Sequence, residues 1–424
     1  MNFIAVIILV AIVSDFILHF WADCLNLKEL RAELPEAFHG LYDKEHYKKS
    51  QEYLRVNTHF GWIASVFDIT VLLIFWFGKG FPFLDQWTRS LNYGSIVSGL
   101  IYIGVLLFIK AILSLPFSIY STFVIEESFG FNKTTWLTFF LDIIKGLILS
   151  ILLGGPLLAG ILIFFEYAGA NAWWYCWIVV TLFMLILQFI APSWIMPLFN
   201  KFNPLKDGEL KNSIMTYAHS INFPLKNIFV MDGSRRSSKS NAFFAGFGKN
   251  KRIALFDTII DQLTVNELVA VLAHEMGHYK KKHILQNIII GILQAGLMLF
   301  LLSLFVSYQE LFDAFYMDKI SVYTGLIFFG MLYSPIGFFI GIFTHMHSRK
   351  NEYEADRFAA KTTGDPVSMA DALKKLSVNN LSNLMPHPFY VFLNYSHPPV
   401  LNRLKAILSP EKMNIEPRLG VGKR

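Results

Sequence analysis

The chain has 424 residues, of which 54% are hydrophobic, 16% are aromatic and only 16% are charged, against roughly 25% charged residues in ordinary soluble domains. Its formal net charge of +6 is modest and is segregated between loops, so a nucleic-acid-binding protein is excluded. Cys24 and Cys176 lie in or beside apolar segments and match no disulfide framework or cysteine-based zinc spacing. The composition therefore predicts an integral membrane protein.

Seven apolar runs are long enough to cross a bilayer as helices. They cover residues 3–21, 60–77, 96–120, 143–167, 174–198, 284–306 and 322–343. The first run has no preceding Lys or Arg and no small-residue cleavage site after it, so we predict a membrane helix there and not a signal peptide. The fold predicted is mainly α-helical, a polytopic membrane protein.

Basic residues are distributed unevenly between the loops. Lys and Arg are frequent after the first run, after the fifth and after the seventh, and scarce after the second, fourth and sixth. Because basic loops stay in the cytoplasm, we predict cytoplasmic loops at 22–59 and 121–142, although the second of these carries only Lys133. The C-terminus is then cytoplasmic and the N-terminus lies on the other side.

Four parts follow from the order of these runs. Residues 1–198 form an N-terminal membrane domain, and residues 199–283 are the first part of a soluble domain. Two further membrane helices occupy 284–344, and the second soluble part occupies 345–424. Asp68 and Lys110 lie in the middle of predicted spans, where they form either an ion pair between helices or part of the wall of a water-filled chamber.

The first soluble part has a mixed pattern. A helix is expected at 210–221 and a strand at 227–231. A hairpin pattern follows, with strands at 241–247 and 252–256 around the turn Gly248-Lys249-Asn250. The soluble domain should therefore carry a small β-hairpin or sheet.

An H-E-x-x-H motif follows the hairpin. Thr264 precedes Glu267 by three residues, the spacing of a capping box that begins a helix. Further along that helix lie His274, Glu275 and His278. At 100° per residue the two histidines are offset by only about 40°, so both imidazoles would reach one metal ion. Glu275 is placed to take a proton from a water on that metal, so the motif predicts a zinc-hydrolase helix.

A catalytic zinc needs a third protein ligand. His283 lies five residues after His278, about 140° round a continued helix, and is expected to point away. After the last apolar run, helical spacing puts Glu352 on one face with Asp356 and Arg349. That face offers a carboxylate ligand and a second carboxylate that would accept a ring N–H from a ligating histidine.

Glu354 is about 200° away from Glu352 on the same helix. We therefore expect its replacement by alanine to leave metal binding and activity close to parental. The helix phase alone does not choose between Glu352 and Asp356 as the ligand.

Several stretches together resemble the type I CAAX prenyl endopeptidases, which are integral-membrane zinc proteases of the gluzincin type. The stretches are HEMGH at 274–278, SRKNEYEAD at 348–356, EESFGFNKT at 126–134, SNAFF at 240–244, and YSHPP at 395–399 with Arg403 after it. The resemblance spans nearly the whole chain and follows the family's order.

The resemblance implies a role for each matching residue of the metal site. His274, His278 and Glu352 would hold one Zn²⁺, with Glu275 as the general base. Asp356 would accept a hydrogen bond from a ligating histidine and so orient it, and Arg349 is expected near Asp356.

It also implies how substrate binds. Asn241, Ala242 and Phe243 would lie along the substrate as an edge strand. His397 and Arg403 would approach the scissile carbonyl or the C-terminal end of the substrate. In that family the membrane helices enclose an intramembrane chamber, which favours a wet environment for the mid-span charges.

The function predicted is a membrane zinc endopeptidase with its active site facing the cytoplasm. It would hydrolyse peptide bonds near the C-terminus of protein substrates that are prenylated or otherwise associated with the membrane. The alternative is a membrane quality-control or translocon-associated factor whose main role is not proteolytic. Residues 420–424 lack the lysine pair of a retrieval signal, so a bacterial inner membrane is favoured over the endoplasmic reticulum. The oligomeric state is not predicted.

Overall fold

Seven long apolar helices dominate the computed structural model, which describes residues 1–31, 33–225, 227–245 and 252–409. Within these residues, the helices able to span a membrane are Phe3–Lys28, Lys44–Phe77, Ser95–Glu126, Trp136–Tyr167, Gly169–Phe199, His283–Phe305 and Val322–Thr363. Each coincides with one predicted run. The prediction of a seven-span, mainly helical membrane protein is therefore confirmed.

Three of these spanning segments contain π-helical turns, at Ser121–Glu126, Ser150–Gly154 and Ala191–Ile195. The α-helices of the N-terminal half are α1 (Phe3–Lys28), α2 (Lys44–Phe77), α3 (Gly80–Ser90), α4 (Ser95–Tyr120), α5 (Trp136–Leu149), α6 (Gly155–Tyr167), α7 (Ala172–Ile190) and α8 (Met196–Phe199). Those of the C-terminal half are α9 (Glu209–Ser220), α10 (Asp257–Gln262), α11 (Val265–Lys280), α12 (His283–Phe305), α13 (Gln309–Asp313), α14 (Val322–Thr363), α15 (Pro366–Asn379), α16 (Pro388–Asn394) and α17 (Val400–Leu408).

The membrane helices are in contact with one another over little of their surface. Only between 6% and 22% of each apolar segment is buried within the protein, whereas helices packed on all sides would be buried at most positions. Such low burial agrees with the chamber that the family resemblance implies, with lipid outside. Between α2 and α4, Lys110 Nζ lies 2.5 Å from Asp68 Oδ1, and both side chains are about half exposed.

A four-stranded sheet forms in the first soluble part, in the order β1-β2-β4-β3. Its strands are β1 (Phe202–Pro204), β2 (Ile228–Met231), β3 (Ala242–Ala245) and β4 (Arg252–Phe256). The predicted helix at 210–221 and the strands at 227–231, 241–247 and 252–256 correspond to α9, β2, β3 and β4. The predicted turn at 248–250 lies outside the described residues, and β1 was not predicted.

Strand β3 lies at one edge of this sheet and pairs antiparallel with β4, while β2 pairs with β4 in parallel. The predicted hairpin pairing is therefore present. Strand β3 also packs against α11, so the free edge of the sheet is next to the H-E-x-x-H helix.

Helix α14 joins the last span to the second soluble part without a break. It runs for 42 residues, including Pro335, which corresponds to about 63 Å. The boundary predicted at 344 therefore falls inside a helix, and the residues around Glu352 are rigidly connected to the membrane.

Ion pairs attach the soluble domain to two membrane helices. The loop predicted at 121–142 is shorter in the structure, because the third spanning segment continues to Glu126 and the fourth begins at Trp136. Arg236 donates two hydrogen bonds to the carboxylate of Asp142, at 2.8 and 3.0 Å. Lys239 Nζ lies 2.8 Å from Glu126 Oε2. Both basic residues belong to the polar loop between β2 and β3, so this loop fixes the sheet against the membrane domain.

Candidate active site

Helix α11 begins at the predicted capping box. The Thr264 backbone N–H donates to Glu267 Oε2 at 2.7 Å, and the Glu267 backbone N–H donates to Thr264 Oγ1 at 3.4 Å. Lys375 on α15 also lies 2.7 Å from Glu267 Oε1. This capping box fixes the residue at which α11 begins, because it satisfies N–H groups that the first helical turn leaves without partners.

Helices α11 and α14 approach each other closely at Gly277. A Cβ atom at this position would lie 3.1 Å from Phe358 Cδ1 and 3.3 Å from the backbone of Ala355. These distances are shorter than ordinary van der Waals contacts, so only glycine allows this approach without a shift. The close contact brings the acidic face of α14 against the two histidines of α11.

Three side chains form a compact group between these helices. His274 Nε2 lies 3.1 Å from His278 Nε2 and 3.4 Å from Glu352 Oε2, and His278 Nε2 lies 3.3 Å from Glu352 Oε1. Among the described residues, this is the one group of at least three His, Cys, Asp or Glu side chains whose ligand atoms converge within 4.8 Å. We call these three side chains the metal group.

The group fits a divalent metal in three respects. Ligand atoms about 2.0–2.1 Å from a tetrahedral ion lie about 3.3 Å from one another, close to the distances observed. Within the described part of the chain, no group donates a hydrogen bond to the buried Glu352 Oε2. The buried carboxylates of Glu352 and Asp356 also face a single buried guanidinium, that of Arg403, so a dication would offset the excess negative charge.

Asp356 orients the first histidine. Its Oδ1 lies 2.9 Å from His274 Nδ1, which leaves Nε2 facing Glu352. Burial alone would lower the pKa of His274, but the adjacent carboxylates of Asp356 and Glu352 outweigh it and raise this pKa to about 9. The position of Asp356 therefore agrees with its expected role, which is to orient a ligating histidine.

Arg403 is buried beside both carboxylates of α14. Its Nε and Nη2 donate to the two oxygens of Asp356 at 2.8 and 2.6 Å, and its Nη1 lies 3.4 Å from Glu352 Oε2. Burial would lower the pKa of Arg403, but the charges of Asp356, Glu352 and Glu275 raise it above its usual value. The side chain of Glu275 is half-buried.

His397 lies on the open side of the group. Its Nε2 is 3.4 Å from Glu352 Oε1, and its side chain is 64% exposed. The expectation that Arg349 lies near Asp356 is not met: among the described residues it forms no hydrogen bond or ion pair with that carboxylate or with Glu352. It donates instead to the backbone carbonyls of Val391 at 3.1 Å and Tyr395 at 2.5 Å. It holds the C-terminal end of α16, two residues before His397.

The Ala242 N–H of the predicted substrate strand is a backbone donor that is not used by the sheet. The Ala242 N–H donates to the Asn241 side-chain oxygen at 2.8 Å. On the paired side, the Phe256 N–H donates to the Asn241 carbonyl at 3.1 Å. Since alternate residues of an antiparallel edge strand direct their backbone groups outward, Ala242 presents its N–H to the open edge. The chain of Phe243 continues this strand.

The expectation for His283 was wrong. Its side chain is buried, and its Nδ1 lies 3.0 Å from His278 Nδ1. The angle of 140° assumed one continuous helix, but α11 ends at Lys280 and Lys282 adopts φ 61° before α12 begins. The basic cluster directly before an apolar run was the signal for this break.

The side chain of Glu354 also has a partner that the sequence did not reveal. It does point away from the metal group, as its phase predicts, but its Oε2 lies 3.3 Å from His283 Nε2. It is therefore connected to His278 through His283, a contact that the expectation of a near-parental Glu354→Ala variant did not include.

Comparison with known proteins identifies the family. Residues 23–201 match the family described as the CAAX prenyl protease N-terminal domain with five membrane helices, and residues 204–411 match peptidase family M48. The chain is 37% identical to a CAAX prenyl protease 1 homolog of Arabidopsis thaliana, over 93% of this chain and 96% of that protein.

Two further similarities come from yeasts. The chain is 34% identical to CAAX prenyl protease 1 of Saccharomyces cerevisiae, over 90% of each protein. The crystal structure of S. mikatae Ste24p superposes with a TM-score of 0.88 at 33% identity, covering 96% of this chain and 99% of that one. The chain therefore belongs to peptidase family M48, among the CAAX prenyl proteases, and is an integral-membrane metalloendopeptidase.

Proposed function

We propose that the protein is a zinc endopeptidase whose metal is held by His274, His278 and Glu352. The observation that carries this proposal is the convergence of their three ligand atoms at 3.1–3.4 Å, with the buried Glu352 Oε2 lacking a hydrogen-bond donor in the described structure. Two nitrogens and one carboxylate, with an open side for water, are the donor set of a catalytic and not a structural zinc.

A bound zinc ion would lower the pKa of a water molecule to about 7 and polarise the scissile carbonyl. Glu275 lies between the ligands in sequence but faces the adjoining side, where it would accept the proton of the attacking water and pass it to the leaving amine. Its carboxylate is close enough to Arg403 to affect the pKa of that residue.

The two other candidate catalytic residues would have different tasks. His397 is exposed at the open side and would donate a hydrogen bond to the carbonyl oxygen as negative charge develops on it. Arg403 is buried and uses two of its nitrogens on Asp356, which favours a role in holding that carboxylate over direct contact with substrate. Arg349 would position His397 through the carbonyl of Tyr395.

The substrate would bind as an added strand along β3. Asn241, Ala242 and Phe243 form the open edge next to α11, and within the described residues the outward N–H of Ala242 donates to the Asn241 side chain. An extended peptide would replace that local bond by a backbone carbonyl.

The natural substrates would be proteins carrying a lipid near the C-terminus. Glu352 lies nine residues after the predicted end of the last span at Phe343, about 13 Å along the helix. A lipid anchor would keep a scissile bond at that height. The names of the relatives refer to prenyl proteases, which agrees with such substrates.

The active site would face the cytoplasm, because Lys and Arg are concentrated in the loops on its side of the membrane. The expectation of a bacterial inner membrane rested on the C-terminal residues 420–424, which lie outside the described residues. The relatives named above are all eukaryotic, which weighs against that expectation and favours an intracellular eukaryotic membrane.

The test is the variant Glu275→Gln, assayed for metal content and for hydrolysis of a farnesylated and an unmodified peptide. We expect about one zinc per chain and a loss of at least about 100-fold in turnover, because a general base is removed while the ligands remain. Chelation of the metal should abolish parental activity, and the farnesylated peptide should have the higher kcat/KM.

The exposed Asp261 provides the control, since Asp261→Asn removes a carboxylate of the same domain away from the metal group. Turnover of Glu275→Gln within about tenfold of this control would refute the assignment of the general base. A parent protein that binds no zinc would refute the proposal as a whole.

A further inference from the structure

A hydrogen-bonded series of two side chains, His283 and Glu354, extends from His278 to the surface. His278 Nδ1 lies 3.0 Å from His283 Nδ1, and His283 Nε2 lies 3.3 Å from Glu354 Oε2. His283 is only 1% exposed, whereas the Glu354 side chain is 39% exposed. This hydrogen-bonded series therefore begins at the metal group, passes through a buried imidazole and ends at a carboxylate in contact with water.

The two histidines of α11 are supported in different ways. His274 Nδ1 contacts the carboxylate of Asp356 directly at 2.9 Å. His278 has no carboxylate at that distance in the contacts described here, and its Nδ1 meets His283 instead. Because ligating histidines normally give their second ring N–H to a carboxylate, carbonyl or water, the second histidine needs another acceptor.

The direction of the hydrogen bonds follows from the carboxylate at the end. An ionised carboxylate only accepts, so His283 carries its proton on Nε2 and donates it to Glu354. The neutral imidazole of His283 then has a bare Nδ1, which accepts from Nδ1–H of His278. His278 is thereby left with a bare Nε2, the atom that faces His274 and Glu352.

The opposite direction would disable the site. If His283 donated from Nδ1, His278 would have to carry its proton on Nε2, where it would block a metal. The Nε2 atom of His283 would also face Glu354 without a proton to donate. Glu354 thus selects the tautomer of a residue that it does not touch.

We infer that His283 and Glu354 are positioning residues that hold His278 in its metal-binding tautomer and orientation. This inference rests on the proposed metal site, and it extends that site to the first residue of α12 and to a third acidic residue of α14. Both ligating histidines are then oriented by carboxylates of α14, Asp356 directly and Glu354 through an inserted imidazole.

The experiment measures metal binding without turnover. Zn²⁺ affinity of the purified full-length protein would be determined by competition with a fluorescent chelator, and the Co²⁺-substituted protein by its visible absorption spectrum. Glu354→Ala and His283→Phe should each weaken Zn²⁺ binding about 10- to 100-fold and alter the Co²⁺ spectrum. Glu354→Gln should recover most of the affinity, because its amide oxygen still accepts from His283.

Asp261→Ala, which removes an exposed carboxylate elsewhere in the domain, is the control and should bind Zn²⁺ as the parent does. Parental affinity and an unchanged Co²⁺ spectrum in both Glu354→Ala and His283→Phe would overturn the inference. If His283→Phe fails to fold, Glu354→Ala decides alone, since its site is partly exposed and creates no cavity. A parent that binds no Zn²⁺ would instead refute the proposed function.

Discussion

Arg403 lies between two carboxylates that have different tasks. Through Nε and Nη2 it holds both oxygens of Asp356, and through Nη1 it lies 3.4 Å from Glu352. A planar guanidinium can make this bidentate contact, whereas the single ammonium group of a lysine cannot. We therefore expect Arg403 to keep Asp356 in place for His274 and to provide a positive charge that is present with or without a bound metal.

The metal should be bound more weakly as the pH falls. Without metal, the pKa of His274 is about 9, so this residue is protonated at neutral pH and must lose a proton before it can bind zinc. Zn²⁺ affinity should therefore rise about tenfold per pH unit below that pKa from this group alone. Chelator competition between about pH 7 and pH 8 measures the slope.

Asp356→Asn is the matched control for this dependence, because the amide oxygen still accepts from His274 Nδ1 but carries no charge. The pKa of His274 should fall in this variant, and the pH slope should flatten. An affinity of the parent protein that does not change with pH would contradict the prediction.

Among the elements, those built from local signals were predictable. The capping box of Thr264 and Glu267 marked the beginning of α11, and the phase of α14 correctly grouped Glu352 with Asp356. The phase argument failed at His283, because Lys282 in the left-handed region breaks the helix. Strand β1 has only three residues and is too short for a periodic pattern.

The edge strand is the element whose role is most directly testable. Ala242→Pro removes the N–H that faces the open edge, while the hydrogen bond from Phe256 to Asn241 remains possible. A lost backbone hydrogen bond of about 0.5–1.5 kcal/mol should raise KM about 2- to 13-fold, with zinc retained. Steady-state kinetics with a peptide substrate measure this effect.

Ala242→Ser keeps the N–H and should behave as the parent does. If Ala242→Pro is folded, retains zinc and has parental KM and kcat, then β3 does not bind substrate. A normal thermal transition is required before the kinetic result is interpreted, because Ala242 is buried.

At the scale of the molecule, the ion pair between Asp68 and Lys110 is the place to test whether the space between the membrane helices contains water. Both side chains are about half exposed in the middle of membrane helices, and such charges are stable there only in contact with water or with each other. We expect a cysteine at Lys110 to react with a charged, water-soluble maleimide in a protein whose Cys24 and Cys176 have been replaced.

Single cysteines at positions 107–113 are the comparison. Their reactivity should follow the helical period and be greatest on the face of Lys110, if that face borders a water-filled chamber and the other exposed faces of α4 contact lipid. Uniformly unreactive cysteines would show that the interior is dry and that the charges are paired in an apolar medium.

The continuity of α14 also affects how the enzyme is made. The chain is synthesised from its N-terminus, so His274 and His278 leave the ribosome before the last two spans, and Glu352 leaves after them. Glu352 belongs to the same unbroken helix as the seventh span, so it joins the histidines only when that span has been inserted in the correct orientation. If the proposed ligands are correct, an incompletely inserted chain would have two of the three, and we expect protease activity to begin only after membrane assembly is finished.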